Sequence, residues 1–165
     1  MQKIGLGGGC HWCTEAVFQP LRGVESVEQG FIASTAPDDT FSEAVIVTFD
    51  PDAISLSDLI AVHLATHAST SNHSMRGKYR SAVYVFSDAQ MEQAQSELDE
   101  HSRKTGAAFV TSILPFAQFK PSAQKFQNYY KTDPERPFCK AYIDPKLAKL
   151  RSNYADLLKN EITRS

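Results

Sequence analysis

The cysteines are the residues of this sequence best suited to carry chemistry. Cys10 and Cys13 follow the glycines at 7–9 and are separated by His11 and the single tryptophan, Trp12. A cysteine in the first turn of a helix faces unpaired N–H groups and the positive end of the helix dipole, which both favour the nucleophilic thiolate. Glycines leave room for a substrate. We therefore predict that Cys10 is a nucleophile and that Cys13, one helical turn away, is close enough for a disulfide.

Other interpretations of this segment remain open. The two cysteines could be an inert buried pair, or a thioredoxin-like C-x-x-C dithiol. Cys10 and Cys13 could also bind zinc with Cys139 and a histidine, but the chain has no second C-x-x-C. A phosphate-binding loop is disfavoured because no Lys-Ser/Thr follows the glycines. His63 and His67, four residues apart on an apolar helix face, are interpreted as core histidines rather than metal ligands.

Composition narrows the class of protein. The 165 residues are 42% hydrophobic and carry a formal net charge of -2, which fits one folded domain spanning 1–165. No basic stripe indicates nucleic-acid binding. No run of about 18 apolar residues indicates a membrane span, and the N-terminus has no secretory signal. Three cysteines, an odd number, favour free thiols in a reducing cytoplasm over a disulfide scaffold.

Hydrophobic spacing and turn residues predict the elements that position these thiols. Strands and helices follow in the order β-α-β-β-α-β-α-β, before a C-terminal helix. Hairpin strands with interspersed helices indicate an α+β fold, a two-layer α/β sandwich with a ferredoxin-like core and a C-terminal helical extension. The predicted strands are 4–6, 24–32, 41–49, 79–86 and 108–114, and the predicted helices are 14–18, 55–67, 88–104, 121–130 and one that starts at 145.

Motifs spread along most of the chain resemble the A-type methionine sulfoxide reductases. The first motif matches the family's Gly-Cys-Phe-Trp signature, and others match its Glu-x-Val strand and its Tyr-Arg-Ser-Ala segment. Several such motifs in the same order are far more specific than one alone. The matching segments are 8–18, 21–24, 29–31, 42–45, 49–51, 79–84, 127–130, 136–139 and 145–147.

The resemblance implies roles for several residues in reducing the S epimer of methionine sulfoxide. Cys10 would attack the sulfoxide sulfur and become a sulfenic acid. Glu43 matches the carboxyl that protonates the departing oxygen, and Tyr79 matches a tyrosine that holds that oxygen. Trp12 matches the ring that packs on the methionine S-methyl group.

The resemblance also implies how the enzyme is regenerated and what it binds. A resolving thiol must reduce the sulfenic acid, and we favour Cys139 in the proline-rich turn at 132–137, with Cys13 as the alternative. Thioredoxin or a similar external thiol reductant would complete the cycle, without a bound cofactor or metal. The substrate would be free or protein-bound methionine sulfoxide, and the protein would be a monomer.

Three departures from the family alter the expected substrate pocket. His11 replaces the usual phenylalanine in the pocket wall and places a titratable ring beside the nucleophile. Phe41 lies near the place of a family tyrosine but has no hydroxyl. The acidic residue expected before Tyr79 is absent. These losses motivate one alternative function, a drifted relative that acts as a thiol redox sensor or binding module.

Overall fold

A mixed sheet of six strands lies at the centre of the computed structural model, which describes residues 1–72 and 74–159. The α+β class predicted from the sequence is confirmed, while the ferredoxin-like core and the two-layer arrangement stay predictions. The strands are β1 (Gln2–Gly7), β2 (Val24–Ala33), β3 (Ser42–Phe49), β4 (Ala82–Val85), β5 (Ser112–Pro115) and β6 (Gln118–Pro121).

The strand order in the sheet is β5-β4-β1-β3-β2-β6. β2 and β3 pair antiparallel, as the sequence predicts for a hairpin, and their register places Phe31 opposite Glu43. β1 is antiparallel to both β3 and β4, whereas β4 and β5 are parallel. The central position of β1 means that the chain leaves the middle of the sheet immediately before Cys10.

Gly7 shows why the segment before Cys10 is glycine-rich. It pairs with Ala44 on one side and Ala82 on the other, and a Cβ here would lie 2.9 Å from the Glu43 carbonyl oxygen. A Cβ on Gly8 would lie 2.4 Å from the His67 ring. Only glycine permits both close approaches, so the glycines hold the cysteine segment tightly between β3 and the histidines.

The helices pack against the central strands of the sheet. Ser55 and Ser87 cap two of them by accepting from backbone N–H groups, and Gly106, at φ 73°, ends one of them in the left-handed conformation. Leu6, Val47 and other residues of the central strands form the main core with the helices. The helices are α1 (His11–Phe18), α2 (Leu56–Ala65), α3 (Asp88–Thr105), α4 (Tyr129–Thr132) and α5 (Asp144–Asn153).

The C-terminal third departs most from the sequence prediction. The predicted helix 121–130 is wrong, because Pro121 ends β6, which pairs with β2 at the edge of the sheet. A short 3-10 helix at Gln124–Phe126 and α4 occupy the remaining length. Cys139 begins a π-helix at Cys139–Ile143, after the predicted turn rather than in it. No helix in the two described ranges has the length and hydrophobicity needed to cross a membrane.

Candidate active site

Cys10 is the N-cap residue of α1. Its carbonyl accepts from the N–H groups of Cys13 and Thr14, both at 3.1 Å, which starts the helix. Its side chain is partly exposed, and the backbone N–H groups of Trp12 and Cys13 are among the causes that lower its pKa. The predicted start at 14 is therefore three residues late, and the earlier start places the Cys10 sulfur among unpaired helix donors.

Cys10 and Cys13 form a thiolate–thiol pair. The Cys13 thiol donates a hydrogen bond to the Cys10 sulfur, which is the main reason that the pKa of Cys10 lies below that of an ordinary cysteine. The same hydrogen bond, together with burial and the Cys10 charge, raises the pKa of Cys13 strongly. The first proton that the pair loses therefore comes from Cys10, the more accessible sulfur.

Cys139 lies in the same cluster but is placed differently. Its side chain is 0% exposed, and its thiol donates to the Asp133 carbonyl at 3.6 Å. Burial raises its pKa. Cys139, Cys13 and Ala16 pack together, with Cys10 at the margin of this cluster, so the structure brings all three cysteines to one side of α1.

Glu43 lies beside the cysteine helix, with only 7% of its surface exposed. Its Oε1 accepts from the His11 backbone N–H at 3.2 Å and lies 3.7 Å from His11 Nε2. Its charge raises the pKa of Cys10. The carboxyl therefore lies beside the first residue of α1, and its charge acts on Cys10; its role as proton donor stays a prediction.

Tyr79 is held near Glu43 by the segment that contains it. The Glu43 N–H donates to the Lys78 carbonyl at 3.0 Å, and the Arg80 N–H donates to Ser42 Oγ at 2.8 Å. The Lys78 ammonium lies 3.6 Å from Glu43 Oε2, and its hydrogen bond to Tyr79 is the main cause of a raised Lys78 pKa. Lys78 therefore links the carboxyl to the tyrosine. This segment is irregular, and the strand predicted at 79–86 begins only at Ala82 in the structure.

His11 is part of the wall between the nucleophile and the sheet. Its Nδ1 donates to the Gly30 carbonyl at 2.8 Å, and its ring contacts Phe31 edge-on at 5.1 Å between centroids. The other ring nitrogen, Nε2, is the one that faces Glu43. The substitution of phenylalanine by histidine has therefore added a polar atom on the Glu43 side of the pocket.

Trp12 belongs to an aromatic cluster. It stacks on Tyr129 with centroids 4.1 Å apart and an interplanar angle of 5°, and Phe138 meets it edge-on at 5.3 Å. Glu15, which is almost fully buried, accepts from the N–H groups of Asn128 and Tyr129 at 2.9 and 3.1 Å. The α1 helix thus holds both partners of the stack. Phe41, predicted to bind substrate, precedes β3 and is 44% exposed.

A small cavity lies behind the cysteines and contains the pair of histidines. His63 Nε2 donates to the Gly7 carbonyl at 2.7 Å, while the His67 ring bonds through Nε2 to Ser81 Oγ at 2.8 Å. Both rings are tied into the fold, which agrees with their interpretation as core histidines. The cavity is lined by Gly8, Gly9, Cys10, Cys13, Thr14, Val17, His63, Thr66, His67 and Lys146.

Sequence reasoning did not single out Lys78, Lys146 or Glu15 as parts of the site. Lys78 and Glu15 lie inside or beside quoted motifs, so their position next to matched residues is a signal that could have been used. Lys146 also lies in a matching segment, 145–147, but it is far along the chain, and the packing of α5 against α1 brings it to the cysteines. Within residues 1–72 and 74–159 no group of three or more His, Cys, Asp or Glu side chains is arranged to hold a metal ion.

Comparison with known sequences decides the family. The sequence profile of the peptide methionine sulfoxide reductases matches residues 2–158. The chain belongs to this family. The peptide methionine sulfoxide reductase MsrA of Deinococcus radiodurans is 40% identical over 170 residues, an alignment that covers 93% of this chain and 82% of the relative. The resemblance drawn from the motifs is confirmed, and the chain is an A-type methionine sulfoxide reductase, an oxidoreductase.

Solved structures of the family share the fold. Mxr1 from Saccharomyces cerevisiae in its reduced form matches with a TM-score of 0.71 and 23% identity, over 86% of this chain and 90% of that one. Mxr1 in complex with Trx2 matches with a TM-score of 0.61 and 24% identity, over 78% of this chain and 84% of that one. The α+β arrangement described above is therefore shared with Mxr1.

Proposed function

We propose that this methionine sulfoxide reductase reduces the S epimer of methionine sulfoxide, free or in proteins, with Cys10 as its nucleophile. The observation that carries the proposal is the pairing of a stabilised Cys10 thiolate with a buried carboxyl, Glu43. This carboxyl accepts a hydrogen bond from the backbone N–H of His11, the residue that follows Cys10. A nucleophile for sulfur and a proton source for oxygen are the two groups that sulfoxide reduction needs.

The chemical step consumes one proton. The Cys10 thiolate and the sulfoxide, with a proton from the Glu43 carboxyl, give methionine and a Cys10 sulfenic acid. The sulfur–oxygen bond of the substrate breaks and a new one forms on Cys10, so that the substrate sulfur gains the two electrons that Cys10 loses. Tyr79 orients the oxygen, with Lys78 fixing its hydroxyl next to Glu43.

The substrate side chain would lie between the aromatic cluster and the sheet. Trp12 supplies an apolar edge for the S-methyl group, and its rigid stacking on Tyr129 supports a preformed contact. His11 forms the second wall and Phe41 the outer rim. The epimer preference follows from geometry, because exchanging the oxygen and the methyl group on sulfur would direct the oxygen away from Glu43.

We propose that Cys13 resolves the sulfenic acid, rather than Cys139, which the sequence favours and which becomes the alternative. Cys13 already donates to the Cys10 sulfur, whereas Cys139 is fully buried and bonded to the Asp133 carbonyl. The likeness to Mxr1, solved in complex with Trx2, supports a thioredoxin-like dithiol as the final reductant. No bound cofactor enters this cycle.

The same proposal sets the context of the protein. Residues 1–165 act as one domain and one monomer, in a reducing compartment such as the cytoplasm, which free cysteines favour. The central strands, in the order β4-β1-β3-β2, support a ferredoxin-like core packed against one helical layer. Methionine sulfoxide and the reductant are the partners, without nucleic acid or membrane.

The test is an assay of both epimers of a methionine sulfoxide peptide with thioredoxin and its reductase. The wild type is expected to reduce the S epimer, and Cys10→Ser is expected to lose activity by at least about a thousandfold. Reduction of neither epimer, or of the R epimer alone, contradicts the proposal. Oxidation of Cys10 by peroxide without any turnover would instead support the thiol-sensor alternative.

A further inference from the structure

The cavity behind the cysteines contains one cation that the chemistry described so far does not use. Lys146, near the start of α5, lines this cavity together with Cys10 and Cys13. The cavity has a volume of about 10 Å³, roughly the room of one water molecule. Charges inside it are therefore weakly screened, and the Lys146 charge acts on the Cys13 thiol.

The position of Lys146 is fixed by the end of α2. Its ammonium donates to the carbonyl of Thr66, the C-cap residue of that helix. A helix C-terminus favours a cation, and the charges of Cys13 and Cys10 favour it as well, against the burial that lowers the pKa of Lys146. These contacts hold the positive charge against the thiol pair.

The other groups that face the cavity do not supply this charge. Burial lowers the pKa of His63 to about 4 and that of His67 to about 2, so both rings are neutral near pH 7. His63 Nδ1 is buried without a hydrogen-bond partner among the described residues, in keeping with a neutral ring. Lys149 influences Lys146 but does not line this cavity.

The charges around Cys13 change when Cys10 is oxidised. In the reduced pair, the hydrogen bond to Cys10, burial and the Cys10 charge raise the pKa of Cys13, and Lys146 is the largest influence in the opposite direction. A sulfenic acid on Cys10 has no thiolate charge to accept that bond. The hydrogen bond and the Cys10 charge, two of the three causes that raise the Cys13 pKa, then disappear. The attraction of Lys146 remains, and Cys139 opposes it only slightly.

We propose that Lys146 is a positioning residue of the resolving step, whose ammonium stabilises the Cys13 thiolate once Cys10 has become a sulfenic acid. The inference rests on the proposed function above and deepens it. Cys13 attacks the Cys10 sulfur, the Cys10 sulfur–oxygen bond breaks and a disulfide forms. The hydroxyl leaves as water with the proton that Cys13 lost. The Cys13 sulfur is oxidised as it supplies the electron pair of the new bond, and the Cys10 sulfur is reduced from sulfenic acid to disulfide.

The first experiment separates the two steps in a single turnover of Lys146→Met with methionine-S-sulfoxide and no reductant. Methionine formation is expected to slow less than disulfide formation, because Lys146 is not among the main causes of the lowered Cys10 pKa. Disulfide formation is expected to slow by about tenfold or more at pH 7, since a neighbouring opposite charge moves a pKa by about 1–3 units. A sulfenic-acid trap such as dimedone would then capture more Cys10 than in the wild type.

A matched control is available one turn further along α5. Lys149 donates to the Ala65 carbonyl at 2.6 Å, so it caps the same helix end as Lys146, but it lies outside the cavity. Lys149→Met should leave disulfide formation unchanged. Lys146→Arg keeps the charge and should restore part of the rate, and the pH dependence of disulfide formation should shift upwards only in Lys146→Met.

The outcomes distinguish this inference from the function on which it rests. If wild-type protein forms no methionine, the proposed function fails. If methionine forms but Lys146→Met makes the disulfide as fast as wild type, with the same pH dependence, the role of Lys146 is wrong. An equal slowing by Lys146→Met and Lys149→Met would overturn it as well, because it would indicate a structural effect at the end of α2.

Discussion

The two sides of Cys10 differ in the elements that form them and in the groups that they present to the sulfur. The side that faces Glu43 consists of strand residues and the irregular segment around Tyr79. Glu43 itself is buried, and Lys78, whose side chain is 58% exposed, lies between it and solvent. The opposite side consists of helix residues, Cys13, His63 and Lys146, around a small cavity. The first side can admit a substrate and deliver a proton, whereas the second can only act on sulfur. The comparison indicates that oxygen chemistry and thiol chemistry are physically separated here.

The largest expected effect comes from removing the acid on the strand side. Glu43→Gln should reduce the rate of methionine formation by about a hundredfold to ten-thousandfold, the usual range for a general acid. The same change should make Cys10 more reactive towards iodoacetamide near neutral pH, because the Glu43 charge raises the Cys10 pKa. Single-turnover kinetics and alkylation rates measure the two effects. A fall in both methionine formation and Cys10 alkylation would contradict the separation of oxygen chemistry from thiol chemistry. Glu28→Gln, on the exposed side of β2, is the control.

The buried histidines on the cysteine side predict a pH-dependent stability. The folded-state pKa of His63, about 4, lies below its unfolded value of about 6.5, and that of His67 is shifted in the same direction. This contribution to the free energy of unfolding is fully present above about pH 6.5 and is lost as the pH falls towards 4. From His63 alone the loss between pH 7 and pH 5 is about 2 kcal/mol.

Urea unfolding at the two pH values measures this effect. His63→Gln should flatten the pH dependence, whereas His101→Gln, which replaces a half-buried histidine of α3, should leave it unchanged. The same slope in wild type and His63→Gln would mean that the cavity does not keep the ring neutral.

Removal of the hydrogen bond between the thiols should have a smaller effect. Cys13→Ala removes the main cause of the lowered Cys10 pKa, so the rate of Cys10 alkylation at pH 7 should fall by about tenfold, as expected for one hydrogen bond to a charged group. Cys139→Ala is the control, because Cys139 is not among the groups that shift the Cys10 pKa. Unchanged alkylation in Cys13→Ala would show that the helix N–H groups alone stabilise the thiolate.

The smallest effect is expected at Lys78, on the solvent side of Glu43. Its contacts with Glu43 and Tyr79 are exposed, and exposed ion pairs contribute little. Lys78→Met should lower kcat/KM by less than about tenfold, with the loss reduced at high salt because water and ions already screen the wild-type contact. A loss as large as that of Glu43→Gln would mean that Lys78 is part of the proton path.

The sequence predicted the site best where local patterns determine the geometry. The glycines before Cys10 and the hairpin of β2 and β3 bring Cys10 and Glu43 together through neighbouring strands, so motif and register are sufficient. The start of α1 was placed three residues late, because the usual N-cap residues do not include cysteine. Pro121 matches the first turn of a helix equally well, and only its pairing with β2 makes it a strand residue.

The rest of the site depends on packing between distant segments. No local pattern indicates that Lys146 reaches Cys13, which lies at the other end of the chain, or that the Cys139 thiol points to the Asp133 carbonyl. The link from Lys78 to Glu43 arises because the Tyr79 segment is tied to β3 by backbone hydrogen bonds. Such contacts follow from the folded topology rather than from residue spacing.

The most direct test of the account is mass spectrometry of the protein after one turnover with methionine-S-sulfoxide and no reductant. The account predicts one methionine per chain, a protein lighter by two hydrogens, and a disulfide between Cys10 and Cys13. Methionine formation that leaves Cys10 unmodified, or that persists in Cys10→Ser, would contradict it.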